Sequence, residues 1–108
     1  MAITSKAITT SGVNIFPPSS PVLDPGEYAV TTMIFCNVSG ASATLNLHLV
    51  ETGASPSTVN TIIQSLTLPA GETFTFDSER FILADSDAVH AVASANSRLV
   101  ATISYVRI

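Results

Sequence analysis

Charge is scarce in this sequence. Asp, Glu, Lys and Arg make up 11% of the 108 residues, where a soluble domain carries about 25%. The only basic side chains are Lys6, Arg80, Arg98 and Arg107, and they are scattered through a chain of net charge -4. No stripe that could track phosphates can be drawn, which speaks against nucleic acid, and the same sparseness speaks against a polybasic membrane contact. Cys36 is the one cysteine, so no intrachain disulfide can form and a reducing site of synthesis is compatible. Tryptophan is absent and only Tyr28 and Tyr105 are tyrosines, which leaves no obvious aromatic platform for a sugar. Long apolar runs are missing as well: none approaches the roughly 18 residues of a spanning helix, and residues 1–6 lack the charged and apolar regions of a signal peptide. The sequence holds no Gly-rich phosphate loop, no Gly-x-Ser-x-Gly and no His, Cys or carboxylate cluster at metal-ligand spacing, so no cofactor, metal or enzymatic activity is expected.

Hydroxyls take the place of charge. The chain contains 14 Ser and 13 Thr, with Ala, Asn and Gly filling much of the rest. A hydroxyl or methyl gives up less hydration than an ammonium or carboxylate when it is covered, so an exterior of this kind suits a protein that buries its outside against neighbours. The length allows one domain, with a folded surface of about 5,700 Å² and no need of a disulfide or metal to fold.

The periodicity is that of strands. In residues 43–51, Leu45, Leu47 and Leu49 alternate with Thr44, Asn46 and His48, which puts three leucines on one face. Residues 28–38 and 99–107 alternate too, but both of their faces are apolar or hydroxylated, as in strands that are central or covered on both sides. Shorter strands are expected over 60–68, 73–77, 80–83 and 88–95, and residues 57–63 have room for a single helical turn. Turn chemistry separates them, in Asp24-Pro25-Gly26-Glu27, Ser39-Gly40-Ala41, Pro69-Ala70-Gly71-Glu72, Ala84-Asp85-Ser86-Asp87 and Asn96-Ser97. Short alternating strands at this spacing predict an all-β fold, an antiparallel β-sandwich of jelly-roll-like type, over residues 24–108.

Residues 1–23 differ from the rest. Residues 7–10 and 13–16 have the makings of short edge strands, but the Ser, Thr and Gly content and the run Phe16-Pro17-Pro18-Ser19-Ser20-Pro21 favour an extended path. The segment is either a loose terminus or an arm that lies across a neighbouring subunit. The low-charge composition favours the arm, with Ile15, Phe16, Pro17 and Pro18 as its interface residues.

Two histidines offer a general base or ligand: His48 on the polar face of its strand, and His90 on the face of Val92 and Ser94. A hydrolase needs one of them within reach of both a Ser and a carboxylate. Asp85, Ser86 and Asp87 with Asp77 or Glu79 offer oxygens to calcium, against the simpler reading of an Asx-type turn. Asn37-Val38-Ser39 matches a glycosylation acceptor, read as a chance match in the absence of a secretion signal.

The succession of these elements carries a resemblance. Residues 28–39 ending in Asn37-Val38-Ser39, then Leu45-Asn46-Leu47-His48-Leu49-Val50, Leu66-Thr67-Leu68-Pro69-Ala70-Gly71-Glu72-Thr73-Phe74, the Asp85-Ser86-Asp87 turn, Ala93-Ser94-Ala95 and residues 101–106 resemble small β-sandwich virion structural proteins of tailed bacteriophages. The likeness runs from about Val22 to the C-terminus, and its pattern has a Gly where this chain has Asp85 or Ser86. The resemblance implies a non-enzymatic subunit, made in the bacterial cytoplasm and built into the virion. Its post there is capsid decoration (cement) protein or neck, tail or fibre-attachment accessory. The implied partners are copies of itself, a trimer foremost, and the major capsid protein or other virion proteins. A carbohydrate- or receptor-binding module is the competing expectation, since sandwiches host many of these.

Overall fold

Alternating side chains put one face of each strand in the core, and the computed structural model, which describes residues 2–18, 22–76 and 81–108, arranges nine such strands into two antiparallel sheets. They are β1 (Ala2–Ala7), β2 (Val13–Phe16), β3 (Tyr28–Asn37), β4 (Ala43–Val50), β5 (Thr61–Leu68), β6 (Thr73–Phe76), β7 (Phe81–Leu83), β8 (Ala88–Ala93) and β9 (Leu99–Arg107). One turn of 3₁₀-helix, Thr58–Asn60, precedes β5 at the place expected for it, capped by Ser57 and Asn60. Sheet A runs β1-β9-β3-β6, with β7 also paired to β3, and sheet B runs β2-β8-β4-β5.

The pairing is nested. β1 pairs with β9 and β2 with β8, while β3 pairs with β6 and β7, and β4 with β5. The chain is thus one long antiparallel ribbon, closed by its first and last strands and folded over so that β3 also meets β9 and β4 meets β8. β6 and β7 pair with successive stretches of the same edge of β3, so together they act as one interrupted strand. An eight-stranded ribbon wrapped in this order is a jelly roll. The expected sandwich is the observed one.

The inner faces supply the core. Val30, Met33 and Phe35 of β3 and Leu99, Ala101, Ile103 and Tyr105 of β9 pack against Leu45 and Leu47 of β4 and Val89 and Ala91 of β8. Accessible surface is 5777 Å², close to the value of about 5,700 Å² expected for a folded chain of this mass.

The N-terminal segment corrects the expectation of an arm. Residues 2–16 are built into the sandwich itself: they provide one strand to each sheet, and Ile8, Ile15 and Phe16 are at most 2% exposed. The physical reason is the ribbon: without β1 and β2, strands β9 and β8 have unpaired edges and the core has three holes. Of the four interface residues assigned to the arm, Ile15 and Phe16 are core, Pro18 is buried and only Pro17 is exposed. Ser19, Ser20 and Pro21 lie outside the described residues, as do Asp77, Glu79 and Arg80.

Candidate functional site

The sandwich presents two outward faces, and their composition follows from strand register. On sheet A the outward positions of β9 are Val100, Thr102, Ser104 and Val106; opposite them stand Ile3, Ser5 and Ala7 of β1 on one side and Ala29, Thr32, Ile34 and Cys36 of β3 on the other. Thr73 and Thr75 of β6 and Ile82 of β7 complete the face. Among the described residues this face bears no Asp, Glu, Lys or Arg. Lys6 alternates with Ser5 and Ala7 and so falls on the other side of β1, while Arg107 turns to the Pro25 carbonyl, to which its Nη2 donates at 2.8 Å. Strands 28–38 and 99–107, whose faces are apolar or hydroxylated up to the terminal Arg107, are indeed central in sheet A, but only their inner faces are covered within the chain; Ile3, Ile34, Ile82 and Val106 remain exposed outside.

Sheet B is also uncharged at its described outward positions, but it is wetter. The directly opposed residues Asn14 of β2, His90 of β8, His48 of β4 and Thr61 of β5 form a polar row straight across it. His90 Nδ1 is 2.8 Å from Asn14 Oδ1, and His48 Nδ1 is 3.0 Å from the Ser57 carbonyl oxygen, 3.2 Å from Asn60 Oδ1 and 3.1 Å from Thr61 Oγ1. A carbonyl oxygen only accepts, so Nδ1 of His48 carries its proton. The imidazoles lie 6.1 Å apart, each bonded on the side away from the other. Their partners are amides, a carbonyl and a hydroxyl, so neither imidazole is set up by a described carboxylate as a hydrolytic base. Asn46 on the same face accepts from the Ser65 amide at 2.6 Å, which stitches a bulge in β5, a strand whose register with β4 slips twice.

Burial, and then the positive charge of a protonated His48, hold His90 below the ordinary imidazole range. The unfolded chain therefore binds more protons once pH falls through the unfolded value near 6.5, so the stability His90 contributes is full above that pH and lost progressively below it. Thermal melts should show a lower Tm at pH 5.5 than at pH 7.5. The His90→Gln variant, which cannot charge, should lose most of that difference; an unchanged difference in the variant would place its source elsewhere.

The Asp85-Ser86-Asp87 segment resolves as a turn. Asp87 N–H donates to the Ala84 carbonyl at 3.1 Å, and its carboxylate accepts from Thr52 N at 2.8 Å, Thr52 Oγ1 at 3.0 Å and Ala84 N at 2.9 Å. Burial of the carboxylate pushes its pKa up, but these donors outweigh it and hold the group below the usual range. A carboxylate so engaged is a structural cap between two loops. Ser86 has φ 69°, in the left-handed region that favours glycine. Among the described residues, no group of three or more His, Cys, Asp or Glu is placed to hold a metal.

The other sequence candidates fall in the core. Phe16, Tyr28 and Tyr105 meet edge to face at centroid separations of 5.1 to 6.1 Å, and Tyr28 Oη donates to the Asp24 carbonyl at 2.8 Å. Both tyrosines are thus buried and offer no platform to a glycan. Asn37 is 0% exposed, which closes its amide to glycosylation. Beside the aromatic cluster, Phe16, Pro17, Leu23 and Asp87 help to line a cleft of about 150 Å³, well below the roughly 300 Å³ at which ligand sites begin.

The scarcity of charge pointed to these faces. It did not single out Ile3 or the Asn14 to Thr61 row, because both depend on which distant strands become neighbours. No helix is long and apolar enough to cross a membrane among the described residues. Comparison with family models, with curated proteins and with solved structures finds no match for this chain.

Proposed function

We propose that this chain is a non-enzymatic structural subunit of a tailed-phage virion, a capsid decoration protein that packs as a symmetric homo-oligomer against the major capsid protein. The observation that carries the reading is the distribution of charge: apart from Lys6, the described charged residues sit in turns or at strand ends, and the two broad faces are left to hydroxyls, amides and β-branched side chains. A protein that stays dispersed gains solubility from charge on such faces, whereas a subunit built into a larger assembly gains from surfaces that desolvate at little cost. The jelly roll is in keeping with this, since capsid proteins use it, although lectins and cupins use it too and the fold alone decides nothing. The succession of strands and turns that resembles tailed-phage virion proteins supplies the particle.

The test is the particle. Purified virions from cells expressing the gene should contain the 11.2 kDa chain in stoichiometric amount, and a map of the particle should place sandwich-shaped density on the capsid exterior. Density at the neck or tail moves the subunit to an accessory post, and absence of the chain from purified particles overturns the proposal.

A further inference from the structure

We propose that the outer face of sheet A is a self-association surface, through which two copies of this chain pack face to face about a twofold axis. The inference deepens the structural-subunit reading and rests on it for taking a second copy as the partner. A twofold contact sets one patch against itself, so any net charge near the axis meets its own kind. The described residues of this face carry no charge; Lys6 falls on the other side of β1, while Arg107 at the end of β9 and Arg98 just before its start donate to the Pro25 and Ser42 carbonyls. The described part of the face is therefore compatible with itself in a way a charged sheet is not.

Its chemistry and size fit the same occupant. Ile3 is 71% exposed and Ile82 64%, at opposite edges of the sheet, while Ile34 lies near its centre among threonines and Cys36 and Val100 face each other toward one end of the two central strands. Branched apolar side chains between hydroxyls are what one sheet presents to another across the roughly 10 Å of a sandwich interface. The sheet is four strands wide with β7 extending one edge; at about 4.8 Å per strand and about 3.3 Å per residue its face spans on the order of 20 by 20 Å. With side-chain relief, this is on the order of 600 Å² per partner, toward the lower end of stable specific interfaces. Sheet B is the weaker candidate, since covering it desolvates two imidazoles and the amides that hold them.

Cys36, the one cysteine and on this face, reports directly. In the purified 108-residue chain, light scattering should give twice 11.2 kDa, and Cys36 should react slowly with a maleimide at high protein concentration and several-fold faster on dilution. Ile34→Lys at the centre and Ser5→Glu at the edge of the same face should each give a monomer with fast labelling, and two variants guard against one failing to fold. Thr44→Asp on sheet B should leave the pair intact. A chain that is monomeric at every concentration, or a pair that survives both sheet A variants or is broken only by the sheet B variant, overturns the inference. A monomer that still enters particles stoichiometrically leaves the virion reading standing, whereas a pair lost with the sheet A variants but never found in particles overturns that reading alone.

Discussion

A chain lacking residues 1–16 is expected not to fold. Its loss removes β1 from the edge of sheet A and β2 from the edge of sheet B, together with the connection between them, in which Ile8 N donates to the Leu99 carbonyl at 2.9 Å and the Thr9 carbonyl accepts from Ala93 N at 3.1 Å. Three side chains leave the core with it. Ile8 is 0% exposed, and Ile15 and Phe16 are each 2% exposed; truncating a buried aliphatic or aromatic side chain costs roughly 2–5 kcal/mol. The three together reach about 6–15 kcal/mol, which is of the order of the whole stability of a domain, about 5–15 kcal/mol. The newly bared edges of β9 and β8 would also invite pairing between chains. Circular dichroism and a one-dimensional proton spectrum of the truncated chain check this, with dispersed amide signals the outcome that would return the segment to the role of an arm. Single substitutions give a graded version: in urea unfolding, Ile8→Ala and Phe16→Ala should each lower stability by about 3 kcal/mol or more.

That expectation reverses what the sequence suggested for the segment, and the reason is physical. Strands β3, β4, β8 and β9 were legible because each alternates over several residues and is bounded by turn chemistry. β4 shows it most plainly, with Leu45, Leu47 and the partly buried Leu49 on its inner face. β1 and β2 hold only short alternations, and what makes them strands is a partner nearly the whole chain away: Ala2 stands opposite Tyr105, and Val13 opposite Ala91. No local pattern encodes a pairing at that separation; it arises when the nested ribbon closes. The surfaces divide in the same way. That the outward positions are hydroxylated and uncharged could be read from composition, because strand periodicity assigns each residue to a face. The row from Asn14 through His90 and His48 to Thr61 could not, since it exists only once four strands from four parts of the chain take their register. The buried role of Asn37 was hidden likewise, for one of its partners is the Leu68 carbonyl.

Replacing Asn37 is expected to have the largest effect of any single polar substitution. The carboxamide uses all four of its hydrogen-bonding positions: Nδ2 donates to the Ala41 and Leu68 carbonyls, both at 2.8 Å, and Oδ1 accepts from Ser39 N at 3.0 Å and Ser39 Oγ at 2.8 Å. Its backbone is held as firmly, with its N–H on the Glu72 carbonyl at 2.9 Å and its carbonyl taking the Gly71 amide at 3.1 Å. One residue thus ties the end of β3 in sheet A to the end of β5 in sheet B and to the turn between β3 and β4. Asn37→Ala strips the side-chain donor from the buried Leu68 carbonyl and the acceptor from the half-buried Ser39 amide, whereas the exposed Ala41 carbonyl keeps Ser39 Oγ at 2.9 Å; the expected cost is about 1–3 kcal/mol. Asn37→Asp is worse at neutral pH, because a carboxylate oxygen then faces two carbonyl oxygens where two donors stood; the expected loss is about 3–5 kcal/mol. Such an Asp has its pKa raised in the folded chain, so the part of the penalty that comes from ionisation is absent below the unfolded value near 3.9 and grows as pH rises above it. Urea unfolding of wild type and variant at pH 7 and pH 4 reads this directly. The gap between wild type and Asn37→Asp should narrow on acidification, because a protonated carboxyl recovers one donor, while the gap for Asn37→Ala should stay nearly constant. Equal stability of Asn37→Asp and wild type at pH 7 would mean that this junction does not hold the two sheets together.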